Sequence, residues 1–568
     1  MCGIALQFGK NVNKPDIKNM LGALDHRGPD NKGILEINKN LIFGHTRLNI
    51  IDLSARANQP MQNNGCYLIF NGMIYNYLEL KKILKKNYNF KTSSDTEVIL
   101  AAYLSWGKDF INKLDGMFSI VIWDTNKKQL IIARDRLGIK PLYYKIYRNT
   151  LYVSSEIKPL LTIKKNEINK QIVFNYFKYS MYENGEDIFF KNIKQFKPGT
   201  IYVYEKDLKL KKKVYWSLYS FIKKNGKNKI ENTNDALDLL KIEINRIKEV
   251  YSRTDTKISL LYSSGLDSNA LLNLINENKN KIGLLLTFGF KAKGIADEIG
   301  LMKQTKYNHY KHQFRLGEFL NNLDKIQQQQ EMPWGGPNVY FLSELLNHSR
   351  SKNYNVCLSA DGADEIFGGY DKYYYNNPFK KKLDLNYISL AIDKTKPHSV
   401  ELFTKNYSKN ISKETTLDLP SNSFMDNARY LDFTLSKLPR NFRFSDRYSM
   451  GQSVELRYPF LDHKLIELSF KFSDKLLINQ NQNKILLRKL FNDNKPKKHI
   501  NSPQTNWFYE KEFIAYIDNL IRSSPMFDYG IDQVKCKSFV SNFYKRKQNN
   551  SFKLWQLVNY HLWIKNFF

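Results

Sequence analysis

Ile258-Ser259-Leu260-Leu261-Tyr262-Ser263-Ser264-Gly265-Leu266-Asp267-Ser268 is the stretch that decides the fold. An apolar run stops at small polar residues and restarts as Ser268–Ile275 with helical character, which predicts a buried strand, a tight turn and a helix. The small side chains let backbone N–H groups approach an anion, and the helix start adds dipole and donors. An ordinary strand–turn–helix capped by Asp and Ser reads equally well at this point. A Walker A loop is excluded, because GxxxxGK[ST] occurs nowhere in the chain.

Outward from this stretch the same pattern repeats. Ala236–Tyr251 is apolar at helical spacing, and Ile282–Phe288 and Asn355–Leu358 are further strand-like runs. Strands alternating with helices predict a parallel sheet, and the last ~130 residues read as mostly helical. Directly after the Asn355–Leu358 run, Ser359-Ala360-Asp361-Gly362-Ala363-Asp364-Glu365 packs three carboxylates into five residues. Burying them is costly without cations, and ATP with Mg²⁺ would supply the compensation.

The first ~205 residues have another character. Leu41–Phe43, Tyr67–Phe70, Phe118–Trp123, Leu130–Ala133 and Leu151–Ser154 are short strand-like runs, expected to form an α+β layered domain. Asn71-Gly72 between apolar segments is a hairpin-type turn signal. Ser94-Asp95 precedes the apolar run Val98–Tyr103 as a helix start. Lys206–Lys213 and Lys223–Lys229 read as an edge strand and an exposed linker.

Composition narrows the class. The chain has 568 residues, 42% hydrophobic and 25% charged, as expected of a globular protein of several domains. No apolar run reaches the roughly 20 residues of a membrane helix, and the N-terminus lacks a secretory pattern. Cys2, Cys66, Cys357 and Cys536 are too scattered for a disulfide framework or a zinc site, so the cytoplasm is the expected compartment. Lys and Arg number 88 against 55 Asp and Glu, a net charge of +33. The lysines are spread in pairs and triplets rather than along one stripe beside stacking aromatics, so no nucleic-acid or membrane partner is expected.

Cys2 directly follows Met1. Removal of the methionine would leave an α-amine of pKa about 7.7–8.0 as base for its own thiol. Around it stand, in order, Arg27-Gly28-Pro29-Asp30, His45-Thr46-Arg47-Leu48, Asn71-Gly72-Met73-Ile74-Tyr75-Asn76, Ser94-Asp95-Thr96-Glu97 and Arg134–Tyr144. This series resembles the class II glutamine amidotransferase domain of glutamine-hydrolysing asparagine synthetases. The loops at Ser263 and Ser359, with Asp446–Met450, Val454–Asp462 and Asn483–Arg488, resemble the synthetase domain of the same family.

The resemblance implies an α+β N-terminal-nucleophile sandwich (αββα) over residues 2–212, a linker at 213–235, and an α/β pyrophosphate-loop ATPase domain over 236–568. That second domain would be a Rossmann-like parallel sheet with a helical C-terminus. It makes Cys2 the nucleophile, Asn71 and Gly72 the oxyanion hole, and Arg47, Met73 and Asp95 further glutamine contacts. It places ATP on Tyr262, Ser263, Gly265, Asp267, Ser268, Phe290, Ser359 and Ala360, and the acyl-adenylate on Asp361. Mg²⁺ falls to Asp267 and Asp364, and adenylation charge to Lys484.

The reaction implied is ATP- and glutamine-dependent synthesis of asparagine from aspartate through channelled ammonia. Amidation of another carboxylate, such as a sugar uronate, is the alternative, and a non-catalytic binding or regulatory homologue a further one. The partners implied are small molecules (glutamine, ATP, and aspartate or another carboxylate), with a homodimer as the assembly considered. Three positions depart from the family pattern: Met73 replaces Glu, Ser264 replaces Gly and Ala360 replaces Gly. Glu331-Met332-Pro333-Trp334-Gly335-Gly336-Pro337 stands where many members carry Asp-Glu-Pro and a further acid. That difference is expected either to reshape the acceptor pocket or merely to pack.

Overall fold

The structure is a computed structural model that describes residues 2–164, 166–226, 228–276, 281–290, 298–301, 305–370, 383, 385, 402–408, 411, 417–492, 504–546 and 551–568. Lys380–Lys382 and Ser502 lie outside the described residues.

The N-terminal half contains two antiparallel six-stranded sheets. Strands are β1 (Gly3–Gly9), β2 (Asn31–Asn38), β3 (Leu41–Arg47), β4 (Met61–Asn63), β5 (Cys66–Ile74), β6 (Gly116–Asp124), β7 (Gln129–Arg134), β8 (Tyr143–Tyr147), β9 (Thr150–Ser154), β10 (Lys194–Gln195), β11 (Thr200–Tyr204) and β12 (Leu210–Val214). Their orders are β10-β8-β9-β1-β3-β2 and β12-β11-β7-β6-β5-β4. Alternation along the strands makes the sandwich. Ile4, Leu6, Phe8, Leu41 and Phe43 of one sheet share a core with Ile69, Val121, Trp123, Leu130 and Ile132 of the other. Their neighbours face outward, where Ala5 and Phe70 join a second core with Ile17, Met20, Val98 and Ile99 of the helices Lys14–Gly22 and Asp95–Trp106. The result is helix, sheet, sheet, helix, as expected.

The Asn71-Gly72 expectation needs correction. Both residues lie inside β5, opposite Ser119 and Phe118 of β6, not in a turn. Gly72 has φ +154°, and a Cβ there would collide with the Met117 carbonyl oxygen. The glycine marks a close backbone approach within a strand. The lysine-rich edge did form: β12 is wholly exposed at the end of its sheet, where lysines oppose edge-to-edge pairing. Residues 213–235, read as linker, contain the helix Leu218–Asn225, with Leu218 and Ile222 buried.

The second half is built on β13 (Ile258–Leu261), β14 (Ile282–Phe290), β15 (His309–Phe314), β16 (Val356–Leu358) and β17 (Glu455–Arg457). They are all parallel, in the order β15-β14-β13-β16-β17. The order reverses at β13, so the crevice beyond the carboxyl ends of β13 and β16 is the switch point where such sheets bind ligands. β15 escaped the sequence reading because it is polar and half-buried (His-Tyr-Lys-His-Gln-Phe), without alternation. Helices Phe424–Thr434, Lys437–Met450, Lys511–Arg522, Gln533–Arg546 and Ser551–Phe567 make the C-terminal part. Among the described residues, no helix is long and apolar enough to cross a membrane.

Candidate active site

The first site lies at the edge of β5. Phe118 turns its backbone toward Asp135, its N–H donating to Asp135 Oδ2 and its carbonyl accepting the Asp135 N–H, so Gly72 and Phe118 form a non-hydrogen-bonded pair and Gly72 turns its N–H away from β6. Phe70 and Ile74 share that edge by the period of two. The Phe70 N–H donates to Gln59 Oε1 (2.6 Å) and the Ile74 N–H to Asp95 Oδ2 (3.0 Å). The Gly72 N–H sits between them. Alongside, Asn71 is fully buried; its Oδ1 accepts the Cys2 backbone N–H at 3.1 Å, and its Nδ2 is buried with no hydrogen-bond partner. A desolvated, unpartnered amide donor beside a cysteine is the arrangement an oxyanion requires.

Cys2 is 8% exposed, and burial raises its thiol pKa. Burial also pushes Asp95 up to about 7. The cap of the Asp95–Trp106 helix is Ser94, whose Oγ accepts the Thr96 N–H, so the Asp95 carboxylate is available to the Ile74 edge. Met73 is buried in the hydrophobic core, and at that position only the backbone reaches the site. Arg47 is already engaged: its terminal nitrogens donate to Ser54 O (2.8 Å), Asn58 Oδ1 (2.7 Å), Ile51 O and Asp52 O. A substrate carboxylate there would exchange with the loop 51–58.

The second site fills the switch point. A cavity of about 260 Å³ is walled by Tyr262, Ser263, Asp267, Ser268, Ser359, Ala360, Asp361 and Asp364, with Phe288, Glu365, Tyr370, Leu438, Asn441 and Tyr448. Phe290 and Gly265 are not among its walls. Phe290 follows Phe288 on the same face of β14 and packs on Phe341 and Trp507; Gly265 lies in the loop. Ser264 is exposed and is not among the positive-φ residues, so a Cβ fits.

Lys484, 1% exposed, holds its Nζ 2.6 Å from Asp267 Oδ2 and 2.6 Å from Asp364 Oδ1. Burial opposes its charge, but Asp364 and Asp267 outweigh burial and raise its pKa. Lys484 itself sits at φ +52°, a conformation costly for a non-glycine residue and common at functional sites. Gly369 is required beside it, since a Cβ would meet Asp364 Oδ1 and Lys484 Cε. Burial raises Asp361, and burial with the neighbouring Asp364 raises Glu365 to about 7, where Tyr370 donates to it.

The Glu331–Pro337 stretch packs. Glu331 is fully buried and accepts from the Ile157 and Lys158 amides and from Arg447 Nε. Trp334 is core, donating to Gln327 Oε1 and lying against Trp555. Neither residue lines the cavity.

Sequence reasoning assigned no role to the buried ionic chain between the halves. Arg27 donates through Nε to the Cys2 carbonyl (3.1 Å), and through Nη1 and Nη2 to Glu156 and Asp446. Asp446 also pairs with Arg447, and Arg447 with Glu331. Arg27 and Asp446 stand in motifs quoted above, but only the tertiary fold brings residues 419 positions apart together.

Comparison with known proteins agrees with both halves. Residues 1–216 match the glutamine amidotransferase domain and residues 248–565 the asparagine synthase family. The chain is 27% identical to Bacillus subtilis asparagine synthetase [glutamine-hydrolyzing] 1, covering 99% of this chain and 96% of that protein. It is 34% identical to a putative asparagine synthetase [glutamine-hydrolyzing] 2 of Methanocaldococcus jannaschii, covering 65% and 76%. A third relative, asparagine synthetase [glutamine-hydrolyzing] 3 of Bacillus subtilis, is 28% identical over 86% of this chain and 84% of its own. The chain belongs to the asparagine synthase family and is an ATP-dependent, glutamine-hydrolysing, amide-forming ligase.

Proposed function

We propose that this ligase makes L-asparagine from L-aspartate, glutamine and ATP, releasing glutamate, AMP and pyrophosphate. The observation that carries the reading is Lys484 Nζ held between Asp267 and Asp364 beneath two small-residue loops at a parallel-sheet switch point. That geometry suits charge developing on a phosphoryl group during adenylation of a carboxylate.

In the N-terminal site, with Met1 removed, the Cys2 amine rests on Asn71 Oδ1 and takes the thiol proton. The thiolate attacks the glutamine amide carbon, while Asn71 Nδ2 and the Gly72 N–H receive the oxyanion. Asp95, ionised, meets the glutamine ammonium, and Arg47 supplies positive charge for the carboxylate. The tetrahedral intermediate breaks its C–N bond and expels ammonia, which takes the proton from the Cys2 ammonium, and water then hydrolyses the thioester to glutamate and the free thiol.

In the C-terminal site the Ser263–Ser268 loop and the start of the Leu266–Asn276 helix cradle the pyrophosphate, and Tyr262, Ser359 and Ala360 wall the nucleotide. Asp267 and Asp364 are a hard oxygen pair that fits Mg²⁺, and the ion would supply charge neutralisation at the phosphates. Asp361 and Glu365 present acidic groups to the acceptor. Glu331 and Trp334 lie in the core and not among the cavity walls, which supports aspartate over another acceptor. The test is purified protein with ATP, Mg²⁺, glutamine and millimolar aspartate. Asparagine and pyrophosphate in equal amounts support the reading; intact glutaminase activity without asparagine rejects aspartate as acceptor.

A further inference from the structure

A second cavity, of about 360 Å³ and partly open to solvent, lies between the two halves and shares no wall residue with the nucleotide cavity. Its polar lining is lopsided: Arg134, Arg136, Arg443 and Lys197 face a single carboxylate, Glu183. Arg134 spends its donors on carbonyl and amide oxygens of Lys140, Gly138, Gln195 and Phe196. Arg136 donates to Leu114 O and Asn112 O, and Arg443 to Pro333 O and Gln330 O. No carboxylate of the described residues pairs with any of the three. Arg136 Nε and Arg443 Nε are moreover buried without a hydrogen-bond partner, and Arg443 is 4% exposed.

Buried guanidinium groups without counter-anions are costly, and carbonyl oxygens compensate them only in part. Their planar forks match carboxylate or phosphate oxygens. The remaining walls are aromatic: Trp216, Tyr219, Tyr430 and Phe442 among them. An interdomain cavity that is largely apolar, with a few converging polar groups, is the usual form of a small-molecule site.

We propose that this cavity is a binding site for a small aromatic organic anion, held by Arg443 and Arg136 through its carboxylate or phosphate and by the rings through its body. The helix Lys437–Met450 gives the site a route to the chemistry. Pro439, Phe442 and Arg443 face the anion cavity, Leu438, Asn441 and Tyr448 wall the nucleotide cavity, and Asp446 grips Arg27. An occupant therefore presses on the element that both reaction sites share.

The test is isothermal titration of the full chain with phenylphosphate and with phenylacetate. Inorganic phosphate and phenol serve as controls lacking the body or the charge. α,β-Methylene-ATP, aspartate and glutamate are present to fill the reaction sites. One equivalent of phenylphosphate or phenylacetate should bind, and which of them binds identifies the head group. Arg443→Met should weaken that binding at least about tenfold, the loss expected when a charged hydrogen bond is removed. Val214→Trp, at an exposed wall position, should do the same by filling the cavity without touching the core. The proposal fails if neither probe saturates below about 10 mM, a very weak affinity. It also fails if the reaction-site ligands displace the probe, if inorganic phosphate or phenol binds as well as the probes, or if Val214→Trp leaves affinity unchanged.

Discussion

Replacing Asn71 by alanine removes the Oδ1 that accepts the Cys2 N–H and, with the larger consequence, the Nδ2 donor. Its Nδ2 is the buried donor without a partner beside Cys2, so its hydrogen bond is formed only when an oxyanion appears. Such a donor acts in the transition state and leaves the ground state almost untouched. Loss of one oxyanion-hole donor costs about 3–4 kcal/mol, or a 10²–10³-fold fall in glutaminase kcat. The Gly72 N–H on the same edge preserves the remainder. The assay is glutamate release against glutamine concentration, with amide formation from added ammonium as the control for folding. Expected are a kcat lowered by two to three orders of magnitude, a KM within about threefold of the parent, and unchanged ammonium-dependent synthesis. A kcat within about tenfold of the parent, or a loss confined to KM, would refute the assignment of Nδ2 to the oxyanion.

Asp95 binds ammonium only when ionised, and burial sets its pKa at about 7. KM for glutamine should therefore fall as pH rises from 6 to 8, and Asp95→Asn should raise KM and flatten that profile. The same shift has a linkage sign. The folded protein binds this proton between the ordinary aspartate pKa and about 7 while the unfolded chain does not, so the contribution favours folding at low pH and is lost as pH rises through 7. Lys484→Met should abolish pyrophosphate release while glutamine hydrolysis continues; unaltered pyrophosphate release would remove Lys484 from the adenylation site. Asp446→Ala strips Arg27 of a buried partner and should lower unfolding free energy by about 3–5 kcal/mol. It should also depress glutaminase activity, although Asp446 belongs to the other half. Denaturant melts with glutaminase assays decide this, and full activity at normal stability would contradict the coupling.

Most of the architecture was legible because local signals agreed with tertiary needs. Phe118–Trp123 and Leu130–Ala133 alternate between two packed layers, and Ile258–Leu261 is apolar but for the buried Ser259 because both faces of its sheet are covered. Asn71-Gly72 misled, since a glycine forced by the neighbouring Met117 carbonyl looks in sequence like a glycine forced by a turn. Phe290 was separated from the nucleotide cavity by a single pleat, a distance that sequence spacing does not resolve. Trp334 could equally have lined a pocket or filled a core; its contact partner Trp555 lies 221 residues away. The Arg27–Asp446 pair had no local signature at all, because long-range charge complementarity leaves no periodic trace.

That pair also governs how the protein can be taken apart. A fragment ending near residue 216 would keep Arg27 and Glu156 but lose Asp446, while the complementary fragment would keep Asp446, Arg447 and Glu331 together but lose Arg27. Each half is electrostatically unfinished at the seam. Recombining this glutaminase with an unrelated synthetase, in the laboratory or through gene fusion, would require the counter-charge to travel with it, so the two halves are expected to be inherited as a unit.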